Sequence, residues 1–217
     1  MKELISTIKA SFHGGDPFAG IQAHAPREVH GFFDLVEFFD RTLDQVRPHL
    51  VIEVGSWQGK SAIHTARKLS TFTDDFGIIC IDTWLGSLEH RLNPDLRKEL
   101  HLHNGYPTIY EKFLENIVAA GFEDYVCPLP IPSSQAAAYL SSIRAPFIFI
   151  DGAHDYLSVK SDIEAYWPLV SPGGILYGDD YNSDWPGLKR AYDEFFADRP
   201  ERPHILHGKY IVQKQAT

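Results

Sequence analysis

The stretch VIEVGSWQGKSAIHTA, residues 51–66, decides how the rest of the chain is read. It opens with an apolar run, passes through a glycine-punctuated turn and continues in a helical pattern. The turn has two readings. From Gly55, GSWQGKS is one residue short of the phosphate loop G-x-x-x-x-G-K-[ST]. From Glu53, the same residues form E-x-G-x-x-x-G. The first glycine of a phosphate loop would have to stand where the chain has Val54. Glu53 would also put a carboxylate at the base of an anion cradle. At ~4 Å from a phosphate charge, that costs on the order of 4 kcal/mol at an effective dielectric of about 20. An acid at this place suits a cationic ligand. The phosphate reading keeps two supports, Lys60-Ser61 in the expected order and FIFID (147–151), which imitates the Mg2+-holding strand of NTPases. A nucleotide-binding NTPase or kinase is therefore the alternative. The dinucleotide turn G-x-G-x-x-G is absent from the loop, which argues against a NAD-dependent oxidoreductase.

Outward from this stretch, apolar runs recur at 50–54, 77–81, 125–129, 146–150 and 174–178, and helical patterns at 59–70, 108–120, 134–142, 156–169 and 187–197. Continuous apolar strands alternating with helices predict a parallel sheet covered on both faces. The segment 204–214 predicts a hairpin turning at Gly208. The expected fold is α/β, a doubly wound, mostly parallel, seven-stranded sheet with an antiparallel C-terminal hairpin. Residues 1–48 form an N-terminal helical arm, in which 27–47 carries Phe32, Leu35, Val36, Phe39 and Leu43 on one stripe until Pro48 stops it. That stripe reads as core packing, with a homo-oligomer contact as the other reading. Residues 83–107 interrupt the alternation, long, polar and broken by Gly and Pro, and leave a strand end as a lid or as an ordinary surface insertion.

The 217 residues read as one domain, large enough to fold without disulfide or metal. A net charge of −9 argues against nucleic acid and against an anionic membrane surface. Cys80 and Cys127 sit in apolar runs and read as buried thiols. No signal segment or membrane-length apolar run is seen, which makes the cytoplasm the expected location.

In a sheet of this kind the ligand crevice lies beyond the carboxyl ends of the strands. Glu53 to Gly59, Asp82, Ser133 with Ser134, Asp151, and Asp179 with Asp180 fall there. A carboxylate followed by a glycine turn fits S-adenosylmethionine, which carries a sulfonium and an ammonium. Asp151, Asp179 and Asp180 converging at one place would repel one another unless a cation joins them, and three hard oxygen ligands suit Mg2+, Mn2+ or Ca2+. Alternatively Asp151 or Asp155 caps the helix from 156.

The ordered set EVGSWQGKS (53–61), ICIDTWLG (79–86), PSSQA (132–136), FIFIDGAHDY (147–156) and PGGILYGDDY (172–181) resembles the class I S-adenosylmethionine-dependent methyltransferases over about residues 50–182. The closer likeness is to the macrocin- and mycinamicin-type sugar O-methyltransferases. The resemblance implies a cofactor site made of Glu53, Gly55, Ser56, Trp57, Gly59 and Ser61, then Asp82, Thr83 and Trp84, then Ser133 and Ser134, and Asp151. Within it Glu53 and Gly55 would border the methionine end, Asp82 would hold the ribose hydroxyls and Ser134 would lie beside the adenine. Ser133 stands where the family often has an aspartate. The resemblance also implies a divalent metal, Mg2+ foremost, at Asp151, Asp179 and Asp180, and His154 as general base beside Asp151. The expected reaction is methylation of a hydroxyl on a small-molecule acceptor. A non-catalytic, methyltransferase-like partner protein is the further alternative. His90, His101 and His103, and Tyr181, Asn182, Asp184 and Trp185, are candidates to touch the acceptor.

Overall fold

The computed structural model describes residues 1–22, 29–31 and 33–216. Seven strands form one sheet: β1 (Leu50–Val54), β2 (Gly77–Ile81), β3 (Val126–Leu129), β4 (Ala145–Ile150), β5 (Val170–Gly178), β6 (His204–Leu206) and β7 (Lys209–Gln213). Their order is β3-β2-β1-β4-β5-β7-β6. The first five strands pair in parallel, and β7 runs antiparallel to both β5 and β6. The strand order reverses between β1 and β4, which is where a crevice opens at the carboxyl ends.

Both faces of the sheet are covered, as its continuous apolar strands require. Successive side chains point to opposite faces. Ile52, Ile79 and Ile148 therefore join the core that contains Ile5, Ala136, Ile163 and Leu188. Their neighbours Val51, Ile78 and Phe147 join a second core with Phe39, Ile63 and Phe113. The helices supplying these cores are α1 (Lys2–His13), α2 (Val36–Val46), α3 (Lys60–Ser70), α6 (Ile109–Ala120), α7 (Ser133–Tyr139), α8 (Tyr156–Tyr166) and α9 (Pro186–Phe196). Two further short helices, α4 (Leu88–Leu92) and α5 (Pro94–Lys98), lie in the 83–107 segment. Cys80 and Cys127 are free and buried. The hairpin turns through His207 and Gly208, both with positive φ, the backbone that a two-residue connection with matching twist demands.

The arm departs from expectation. The stripe expected over 27–47 is helical only from Val36, after a left-handed Leu35. Phe32 and residues 23–28 lie outside the described residues. Upstream of the helix, the carbonyl of Gly31 accepts the Lys60 Nζ at 3.0 Å. Helix α1, which the periodicity of the arm did not reveal, lays Ile5 and Ile8 into the core against Gly77, where a Cβ would stand 2.7 Å from Ile5.

Candidate active site

The crevice is a cavity of about 550 Å3, lined from one end to the other by Pro132, Ser133, Asp162, Asp82, Ser56, Asp151, His154, Asp180 and Trp185 among others. That size lies within the 300–1,000 Å3 typical of small-molecule sites.

Its floor is set by backbone. Gly55 has φ +91°, and a Cβ there would stand 1.9 Å from the carbonyl oxygen of Asp151. The turn after β1 is thus pressed on the end of β4, and only glycine permits it. Beside it, Asp82 receives backbone N–H groups on both oxygens, from Trp57 at 2.9 Å and from Trp84 at 2.8 Å. Burial raises its pKa, and these N–H groups work against the rise. Trp84 is itself buried against Tyr110 and Phe113, behind the cavity. Trp57 reaches the cavity and stacks on His90 at 4.5 Å.

Several expected cofactor residues line the cavity: Gly55, Ser56, Trp57, Ser61, Asp82, Thr83, Ser133 and Asp151. Glu53, Gly59, Trp84 and Ser134 do not. Glu53 is fully buried beneath the loop, both oxygens without a hydrogen-bond partner. Burial raises its pKa to about 7; the Ser56 and Ser61 hydroxyls stand close enough to soften that rise without completing a bond. Gly59 caps α3 with φ +88°. Ser134 is exposed on the outer side of α7.

At the other end, Asp151, His154 and Asp180 each offer a ligating atom, all within 4.8 Å of one another. The expected carboxylate trio is thereby changed at one member. Asp179 is buried and does not line the cavity; its Oδ1 accepts both the buried Lys209 Nζ and the backbone N–H of Asp180. Asp180 has φ +59°, which turns the chain so that its own carboxylate reaches His154 Nε2 at 3.0 Å. Asp179 remains a field on the site: after burial, it is the strongest influence raising the Asp151 pKa, followed by Asp180. The helix-cap alternative is answered by Asp155, which accepts the N–H groups of Leu157 and Ser158 and leaves Asp151 to the cavity.

His154 is fixed on three sides. Its ring stacks on Trp185 at 4.2 Å, Nε2 meets Asp180, and Nδ1 lies 3.4 Å from both oxygens of Glu89. Burial disfavours the imidazolium, but the hydrogen bond and charge of Asp180, with Glu89, outweigh it and raise the pKa. Glu89 comes from α4, and with Gly86, Ser87, His90 and Leu96 it makes the 83–107 segment a wall of the cavity. His101 and His103 are exposed elsewhere, and Tyr181 is turned to Asp193. Glu89 escaped sequence reasoning because it sits in a polar segment that resembles a solvated face. Asp162 falls on the apolar stripe of Val159, Ile163 and Tyr166, and an acid at such a core position was the signal that could have found it.

The two carboxylates, Asp151 and Asp180, suit a divalent cation, and the His154 imidazole beside them suits a base. For S-adenosylmethionine, the fit rests on the cavity volume, on Asp82 as acceptor and on the bare backbone at Gly55.

A family model described as "Methyltransferase domain" matches residues 52–181. No curated protein matches the chain. Among solved structures, the O-methyltransferase NovP superposes with TM-score 0.64 at 20% identity, covering 99% of this chain and 98% of that one. CalS11, calicheamicin methyltransferase, gives TM-score 0.61 at 18% identity over 82% of this chain and 77% of that one. The O-methyltransferase from Bacillus cereus in complex with SAH gives 0.60 at 18%, over 98% and 90%. At these identities the structures speak for the fold. With the family match, they leave the phosphate-loop reading behind, in keeping with a Lys60 whose ammonium is bonded to a backbone carbonyl.

Proposed function

The chain belongs to the methyltransferase-domain family, whose donor is S-adenosylmethionine, and we propose that it methylates a hydroxyl of a small-molecule acceptor with a divalent cation, Mg2+ foremost, held at Asp151 and Asp180. The observation that carries this reading is the gathering of Asp151, His154 and Asp180 within 4.8 Å beside the turn after β1.

Bound S-adenosylmethionine supplies a methyl group on a positively charged sulfur. A divalent cation at the two aspartates would bring the acceptor oxygen to it and lower the pKa of its hydroxyl. The protein's own part is positioning and proton transfer. Both ring nitrogens of His154 face carboxylates, Nε2 at 3.0 Å from Asp180 and Nδ1 at 3.4 Å from Glu89, so both are held as N–H donors. With Asp180 engaged by a cation, Nε2 would be released from that bond while Glu89 keeps the proton on Nδ1. Nε2, on the side of Asp151 and Asp180, is then the atom placed to take the proton of the acceptor. Trp185 fixes the ring plane by stacking. The Gly55 turn and Asp82 keep the donor in line, and holding that line is most of the catalytic task.

Calorimetry with S-adenosylhomocysteine, a Mg2+ titration and a methyl-transfer assay over catechol-like and sugar hydroxyls test the reading. Micromolar product binding and transfer lost on chelation and restored by Mg2+ are expected. Full turnover in the presence of chelator would remove the cation, and binding without transfer across the acceptors would favour a non-catalytic partner protein.

A further inference from the structure

Five carboxylates line the cavity: Asp82, Glu89, Asp151, Asp162 and Asp180. Three of them gather round His154, and Asp82 is bound to the turns after β1 and β2. Asp162 stands apart from both groups. It projects from the second turn of α8, a helix whose buried residues otherwise pack in the core, and only 5% of it is exposed.

Its surroundings hold it in one orientation. Ser133 donates its hydroxyl to Asp162 Oδ1. Ser133 is itself held from behind, since its carbonyl accepts the Tyr166 hydroxyl at 2.8 Å. The second carboxylate oxygen, Oδ2, receives no hydrogen bond from the described residues. It lies 3.7 Å from the place where a Cβ on Gly152 would stand, on a part of the cavity wall that has no side chain to cover it. Burial raises the Asp162 pKa to about 6, and the Ser133 hydroxyl works against the rise. Oδ2 opens to the cavity and is available to a donor on a ligand.

The end of the cavity where Asp162 sits is the one bordered by Pro132, Ser133 and Gly152. Ser133 is the residue that occupies the place of an expected aspartate. We propose that the missing acid is supplied from α8: Asp162, oriented by Ser133, accepts the exocyclic amino group of the donor's adenine and makes the protein selective for a 6-aminopurine. This assignment rests on the methyl-donor reading of the cavity. It gives Ser133 a positioning role and Asp162 the direct contact. A 6-oxo purine would turn an oxygen toward the carboxylate and be rejected, since a site built to accept an N–H leaves its own acceptor unpaired when the donor is missing.

The test is calorimetry with S-adenosylhomocysteine and with S-inosylhomocysteine, in which the amino group is replaced by an oxo group. The native protein should prefer the adenosyl ligand by about 10- to 100-fold, as for a hydrogen bond to a charged group. In Asp162→Asn, the Ser133 hydroxyl keeps the amide oxygen and turns the NH2 toward the ligand, so the preference should vanish or invert. Equal weakening of both ligands, or an unchanged ratio, would overturn the assignment while leaving the donor site standing. Failure of the native protein to bind either ligand would overturn the donor reading and this assignment with it. If Asp162→Asn does not fold, Asp162→Ser replaces it, with the ratio expected within about threefold of one.

Discussion

The two ends of the cavity, which the proposed function reads as a donor end and an acceptor end, are made by different means. The donor end is a backbone construction. Gly55 rests on the Asp151 carbonyl, and Asp82 ties two turns through their N–H groups, all within a strand end or two of one another. The acceptor end is a side-chain construction assembled from remote segments: Glu89 of α4, His154 after β4, Asp180 and Trp185 after β5. Backbone geometry tolerates little change and binds. Side-chain constellations tolerate exchange and carry the chemistry. The difference teaches where a substitution should be felt as lost structure and where as lost rate.

The sharpest way to break this division is His154→Ala. It should lower kcat by about 10²–10⁴-fold, or about 3–5 kcal/mol of barrier, while S-adenosylhomocysteine binding in calorimetry stays within a few-fold of native. A parallel loss of product affinity would mean the two ends are not separable. Next in size is the contrast between the neighbouring acids. Asp179→Ala leaves Lys209 buried with only the exposed Asp34 as partner, and urea denaturation should show a loss of about 3 kcal/mol. Asp180→Ala should change stability far less and abolish the Mg2+ response. Reversed outcomes would return Asp179 to the cation site.

The smallest effect is one of pH, from beneath the donor end. The pKa of Glu53 is raised from 4.5 to about 7. A carboxyl raised on folding holds more protons in the native state, so its contribution is fully present below pH 4.5 and is lost as pH rises to about 7. The native protein should lose about 2–3 kcal/mol from this group across that window. Glu53→Gln should flatten that part of the profile and be the more stable protein at pH 8, measured by urea denaturation at pH 5 and pH 8. An unchanged slope would mean that Glu53 is not the titrating group.

The division also explains what the sequence discloses. Five strands and the hairpin were legible because apolar runs and glycine turns are local signals, and the donor end follows from them: Gly55, Asp82 and Asp151 all fall at strand ends. The acceptor end was legible only in part. Strand parity sets Asp179 on the same face as Asp151, and what removes it is Lys209, thirty residues later in the chain. Glu89 carries no sequence mark, since an acid on a short polar helix is ordinary until the fold aims it into a cavity, whereas Asp162 interrupts the apolar stripe of Val159, Ile163 and Tyr166. In the arm the period holds from Val36 onward, and it stops at Leu35, whose left-handed backbone breaks the helical ladder with no side-chain signal to announce it.

The contact between Gly55 and the Asp151 carbonyl reaches beyond local sterics. It acts as a datum, a fixed reference from which the gap between methyl source and acid cluster is measured. Because a Cβ at Gly55 would collide with that carbonyl, substitution at Gly55 itself is what would move the datum. A version of this protein for a different acceptor would therefore be made by exchanging the 83–107 wall around an unaltered datum, and its reach toward new substrates would be set by how much that one segment can be rewritten.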